Sequence, residues 1–125
     1  MIEEIPIRIL IVDNHAVVRE GLVALLTPRQ RMEVIAQANN GQEAVDRYRD
    51  YQPDITLMDL RMPQLDGLSA TRAIISEFPL ARIIILTTFE GEEENSLQAG
   101  AKALVLKQAP REELFEVIRR VHRAA

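Results

Sequence analysis

The sequence predicts an α/β domain built on a doubly wound, five-stranded parallel sheet in the order 2-1-3-4-5. Three observations lead there. Five short runs are almost wholly apolar and rich in β-branched residues, as strands buried on both faces are. Stretches with apolar residues at helical spacing lie between and after them. Proline, glycine and asparagine punctuate the boundaries. Alternation of this kind implies right-handed crossovers and helices on both faces of the sheet. With five strands, 2-1-3-4-5 is the leading doubly wound order.

In chain order, Ile7 to Val12 is a strand, ended by Asp13-Asn14, which can cap the next helix. From Ala16 to Leu26, Val18, Leu22, Leu25 and Leu26 mark a helix stopped by Pro28. Met32 to Ala38 is a strand and Asn39-Asn40-Gly41 a turn. Gln42 to Tyr51 is a helix, ended by Pro53, and Ile55 to Met58 a strand followed by Asp59. Pro63 and Asp66-Gly67 lie in a loop before a helix from Leu68 to Phe78. Arg82 to Thr87 and Ala103 to Leu106 are the last two strands. A final helix runs from about Pro110 to His122, with Leu114, Val117, Ile118 and Val121 on one face.

Composition narrows the chemistry. At 125 residues the chain has the length of a single domain. Its 15 basic and 19 acidic residues give a formal charge of −4, which argues against nucleic-acid contact by this domain. The absence of cysteine rules out disulfides, thiolate catalysis and cysteine-held metals. His15 and His122 stand too far apart in sequence to suggest a His-rich metal site. No apolar run approaches the ~18 residues a membrane span needs. The start, Met1-Ile2-Glu3-Glu4-Ile5-Pro6, lacks the basic region of a signal peptide, so a cytoplasmic location is expected.

In such a sheet the functional groups lie at the carboxyl ends of the strands. Asp13, Asp59, Thr87 and Lys107 end the first, third, fourth and fifth strands. The first and third are neighbours in the expected order, about 4.8 Å apart. Two carboxylates that close repel unless a cation intervenes. A hard divalent ion, Mg²⁺, suits such oxygen ligands. Thr87 adds a hydroxyl and Lys107 a mobile positive charge suited to phosphate. Singly, a strand-end Asp or Thr is more often a cap or turn former, and a lone Lys is usually solvated. All four at one edge point to a site, and Asp59, ending an apolar run, is hard to explain as packing.

With these residues in place, the chain resembles a response-regulator receiver domain of two-component signalling over about residues 7–123. The motifs are Ile11-Val12-Asp13, Leu57-Met58-Asp59-Leu60-Arg61-Met62-Pro63, Asp66-Gly67, Leu86-Thr87-Thr88, Gly100-Ala101 and Leu106-Lys107. The segments from Asp13 to Leu22 and from Ala38 to Ala44 are similar to the NarL/FixJ-like subfamily. There the receiver, a flavodoxin-like fold, precedes a LuxR-type helix-turn-helix domain that binds DNA. The resemblance implies that residues 1–125 are one receiver domain cut from a longer regulator, its own helix-turn-helix output domain being absent.

It also implies roles. Asp59 would accept a phosphoryl group from a sensor histidine kinase. Asp13 would bind Mg²⁺ with Asp59 and the backbone carbonyl of Arg61. Lys107 would pair with the phosphoryl oxygens, and Thr87 would swing to hydrogen-bond them. Arg61 and Phe89 occupy the places that tune dephosphorylation. A homodimer through the first and last helices is a further implication.

Several residues depart from the family pattern. Asn14 stands where a second acid is usual; its carbonyl can ligate Mg²⁺ or hold a water but brings no charge, so affinity should fall, and a helix N-cap is its structural alternative. Leu104 replaces the usual aromatic switch residue. The region after the fourth strand, Glu90 to Asn95, is acidic and shortened, and the fourth helix is expected to be short, displaced or mobile, with a solvated acidic loop as the plainer reading. Two other functions fit part of the pattern. A pseudo-receiver would keep the fold as a phosphorylation-independent interaction module. An α/β phosphatase with Asp59 as nucleophile is disfavoured, because Leu60-Arg61 come next and no second Asp is placed as general acid.

Overall fold

The computed structural model describes residues 5–124; the acidic opening, residues 1–4, lies outside them. The strands β1 (Ile7–Val12), β2 (Met32–Ala38), β3 (Ile55–Met58), β4 (Ile83–Thr87) and β5 (Ala103–Leu106) alternate with helices α1 (Ala16–Leu25), α2 (Gly41–Tyr51), α3 (Gly67–Glu77), α4 (Glu93–Ala99) and α5 (Arg111–Arg123). They form one parallel sheet in the order β2-β1-β3-β4-β5, as the sequence predicts.

Successive side chains along the inner strands serve opposite faces. Ile9 and Ile11 join Leu57, Ile84, Val105 and Ile118 under α1 and α5. Leu10 and Val12 join Met58, Ile85, Val45 and Ile74 under α2 and α3. Each such fully buried Ile or Leu contributes about 1.5–3 kcal/mol. One irregularity lies in β2. Ile9 pairs with Val34 but Leu10 with Ala36, so Ile35 is an extra residue. Val34 therefore packs on the α1/α5 side, while Ala36 and Ala38 pack on the other.

Caps explain the helix starts. Asn40 accepts from the Glu43 N–H at 2.8 Å, and Glu43 reaches back to the Asn39 N–H at 3.0 Å. Asp66 accepts from the Ser69 N–H at 2.8 Å and opens α3. In α5, Glu112 and Glu113 in the first turn and Arg120, His122 and Arg123 in the last suit the helix dipole.

Three expectations change. Asn14 does not cap α1: the N-cap is His15, without a side-chain cap, and Asn14 is exposed. The acidic stretch is not all loop, since Glu93 begins α4, about two turns long. Ser96 and Ala99 anchor that helix, whereas Leu97 is 56% exposed. Gly100 ends it at φ 110, a conformation that favours glycine. The helix expected up to Leu26 ends at Leu25, and a 3₁₀ turn, Pro28–Gln30, comes after it. None of the residues of α1 is fully buried, so it is the most loosely seated of the long helices. Among the described residues no helix is long and apolar enough to cross a membrane.

Candidate functional site

Strand pairing brings the two aspartates together. Val12 pairs with Met58, so the next residues, Asp13 and Asp59, emerge side by side. The Asp59 N–H donates to the Val12 carbonyl at 3.0 Å, and the Asp13 N–H to the Ala38 carbonyl at 3.1 Å. Both side chains are buried. Lys107, whose N–H donates to the Thr87 carbonyl, leaves β5 and reaches across. Its Nζ lies 2.6 Å from Asp13 Oδ2 and 3.2 Å from Asp59 Oδ1.

The charges are unevenly balanced. Burial, then the negative charge of Asp13, pushes the Asp59 carboxyl up despite Lys107. Burial pulls Lys107 down, but the hydrogen bond to Asp13 and the charge of Asp59 outweigh it and hold the ammonium above its ordinary value. One lysine thus serves two buried carboxylates, and the cluster retains unneutralised negative charge.

Thr87 is fully buried at the end of β4, its Oγ1 accepting from the Phe89 N–H at 3.2 Å. The Arg61 guanidinium lies 4.1 Å from the centroid of the Phe89 ring, a contact between the loops after β3 and β4. The structure therefore gathers Asp13, Asp59 and Lys107 directly, with Thr87 at the end of β4 and Arg61 and Phe89 on the loops after β3 and β4. Asn14 makes no hydrogen bond within this cluster. Leu104 lies in β5 opposite Ile85, half-buried against the α2/α3 side.

Three contributors escaped the sequence reading. His15 turns back on Asp13, its N–H donating to Oδ1 at 2.8 Å and its ring Nδ1 lying 3.1 Å from the same oxygen. Arg19 Nη1 donates to the Asp13 carbonyl at 2.6 Å while Nε donates to Gln37 Oε1 at 3.2 Å, tying α1 and β2 to the site. Gly67 leaves room for the backbone: a Cβ there would stand 2.0 Å from the Asp59 carbonyl oxygen. The signal for the first two was their spacing, two residues beyond Asp13 and one helical turn further.

A parallel doubly wound sheet with paired carboxylates and a lysine at its switch point is the design of phospho-acceptor receivers. Residues 9–119 match the response regulator receiver domain family, and the chain belongs to it. It is 45% identical over 119 residues to the oxygen regulatory protein NreC of Staphylococcus aureus (strain JH9). That match covers 93% of this chain and 55% of NreC; the chain spans about half the length of the curated relatives it matches. A two-component response regulator of the LuxR family from Aurantimonas sp. SI85-9A1 superposes with a TM-score of 0.89 at 37% identity, covering 94% of this chain and 85% of that one. The receiver domain of a sensor histidine kinase from Pseudomonas aeruginosa PAO1, with a magnesium ion coordinated in its active-site cleft, gives 0.84 at 32% identity, covering 95% and 99%. Similarity to LuxR-family regulators supports the NarL/FixJ-like subfamily.

Proposed function

We propose that this domain accepts a phosphoryl group on Asp59 from a phosphohistidine of a sensor histidine kinase and thereby controls the output of a longer cytoplasmic regulator. The observation that carries this reading is the buried Asp13–Lys107–Asp59 cluster at the carboxyl edge of the sheet. An Asp59 carboxylate oxygen attacks phosphorus in line. The phosphorus–oxygen bond forms as the phosphorus–nitrogen bond breaks, leaving an acyl phosphate and free imidazole. Lys107 exchanges part of its contact with Asp59 for the phosphoryl oxygens and neutralises their charge. Thr87, by rotating its hydroxyl from the Phe89 N–H, supplies a donor to the same group.

The cluster suits Mg²⁺. Its donors are hard oxygens, and burial, then the negative charge of Asp13, holds the Asp59 carboxyl up despite Lys107. Asp13, Asp59 and the Arg61 carbonyl would hold the ion, with Asn14 near enough in sequence to contribute through a water. When bound it supplies positive charge to the phosphoryl oxygens.

The output lies beyond this chain. Relatives about twice as long, and similarity to a DNA-binding response regulator of the LuxR family from Staphylococcus aureus, support a DNA-binding helix-turn-helix output domain in the full protein. A cavity of about 300 Å³ between α1 and α5, lined by Val18, Leu22, Leu25, Leu106 and Leu114, supports these helices as a pairing face for a second copy. The domain is then a target of phosphorylation, not a turnover enzyme.

Intact mass before and after acetyl phosphate with MgCl₂ tests the reading. One added phosphoryl group, lost in Asp59→Asn, is expected; retained labelling in that variant overturns the assignment. Leu104 in place of an aromatic favours a second reading, a phosphorylation-independent interaction module, and no mass change in the unaltered chain decides for it.

A further inference from the structure

His15 brings a nitrogen donor to an oxygen site. Its Nδ1, one carboxylate oxygen of Asp13 and one of Asp59 all lie within 4.8 Å of one another. Ligand atoms bonded to one ion at about 2.0–2.2 Å are separated by roughly 3–4.4 Å, so modest side-chain rotations close the three around a cation. The ring can make that rotation, because the His15 side chain is 66% exposed. Its one ring partner among the described residues is Asp13 itself. Asn14, which occupies the place of a further acid, is exposed and contributes no charge. Among the described histidine and acidic side chains, the donor grouped with the two carboxylates is thus an imidazole.

Hard Mg²⁺ prefers oxygen and water, whereas imidazole suits Co²⁺, Ni²⁺ and Zn²⁺. A neutral ring, protonated on its outer Nε2, offers an Nδ1 lone pair, and the two carboxylates, which the dication shares with the Lys107 ammonium, supply the negative charge. We propose that His15 Nδ1, Asp13 and Asp59 form a mixed nitrogen–oxygen site that binds a borderline divalent transition metal in competition with Mg²⁺. The inference rests on the reading of Asp13 and Asp59 as a cation site and adds a ligand and a metal class to it. Mg²⁺ itself does not use the ring.

Calorimetric titration of the unaltered chain and His15→Gln with CoCl₂ and with MgCl₂ tests this. Co²⁺ affinity should fall by about tenfold or more in His15→Gln, while Mg²⁺ affinity stays within about twofold. Zn²⁺ should shift the ring nitrogens of His15, and not those of His122, in a ¹⁵N spectrum. Equal losses for both metals, no loss for either, or a Zn²⁺ response confined to His122 overturns the proposal. Failure of the unaltered chain to bind either metal overturns the cation site itself. Binding of both metals without dependence on His15 overturns only the added ligand.

Discussion

Lys107 reaches Asp13 across 94 residues of sequence, Nζ to Oδ2 at 2.6 Å, with both side chains largely buried. The same ammonium touches Asp59, so it acts as the internal counter-ion of the site. Lys107→Met should leave two buried carboxylates facing each other and cost about 3 kcal/mol of unfolding free energy. MgCl₂ should then raise Tm by more in the variant than in the unaltered chain, since a cation replaces what was removed. Thermal unfolding with and without MgCl₂ measures both.

Asp59 carries the opposite sign. Burial and then Asp13 hold its carboxyl above the ordinary value of 3.8. The folded chain therefore keeps that proton to higher pH than the unfolded chain. The contribution of Asp59 to stability is full below its ordinary value and is lost as pH rises through the raised one. Asp59→Asn should stabilise the domain near pH 7 by about 1 kcal/mol, a few degrees in Tm. The gain should shrink to nothing in acid, below the unfolded carboxyl's range. Unfolding at several pH values checks the sign.

Two glycines should answer oppositely to alanine. Gly67→Ala drives a methyl group into the Asp59 backbone and should cost about 1–3 kcal/mol while displacing Asp59. Gly21, within α1, has nothing within 4 Å of a built Cβ, and Gly21→Ala should stabilise by about 0.5–1 kcal/mol. Denaturant unfolding of the pair decides it.

Restoring an acid at position 14 should strengthen the cation site. Asn14→Asp adds a negative charge beside Asp13, and Mg²⁺ affinity by calorimetry should rise by about tenfold. An unchanged value would remove position 14 from the site.

Phe89→Ala removes the ring on which Arg61 rests, opening the contact between the two loops beside Asp59. A cation–π contact at an exposed site is worth about 0.5–1 kcal/mol. The lifetime of the acyl phosphate should shorten by about two- to fivefold, read from the decay of the added mass.

The strands were legible because each is a short, mostly apolar run rich in β-branched residues, and their order because 2-1-3-4-5 is the leading doubly wound order for five strands. Strand ends then named Asp13, Asp59, Thr87 and Lys107, since a polar residue closing such a run is visible in one dimension. Contacts made by rotation of a side chain were not. Nothing in Asp13-Asn14-His15 tells that the exposed His15, rather than Asn14, turns its ring back on Asp13. The stack of Arg61 on Phe89 joins loops 28 residues apart, and its geometry needed the structure. The fourth helix is short, as expected, and its exact start was hard to read because its anchors are Ser96 and Ala99, small residues that carry little hydrophobic signal.

The additional residue in β2 bears on how the molecule avoids its own kind. This strand is one border of the sheet, and a straight border offers a row of free amide and carbonyl groups to any neighbouring chain. Ile35 breaks that row into two short pieces out of phase, and the exposed Glu33 and Gln37 lie on either side of the break. The opposite border, β5, is only four residues long. Neither side presents a template long and regular enough for a second sheet to be stitched on, so the domain can be abundant without growing into ribbons.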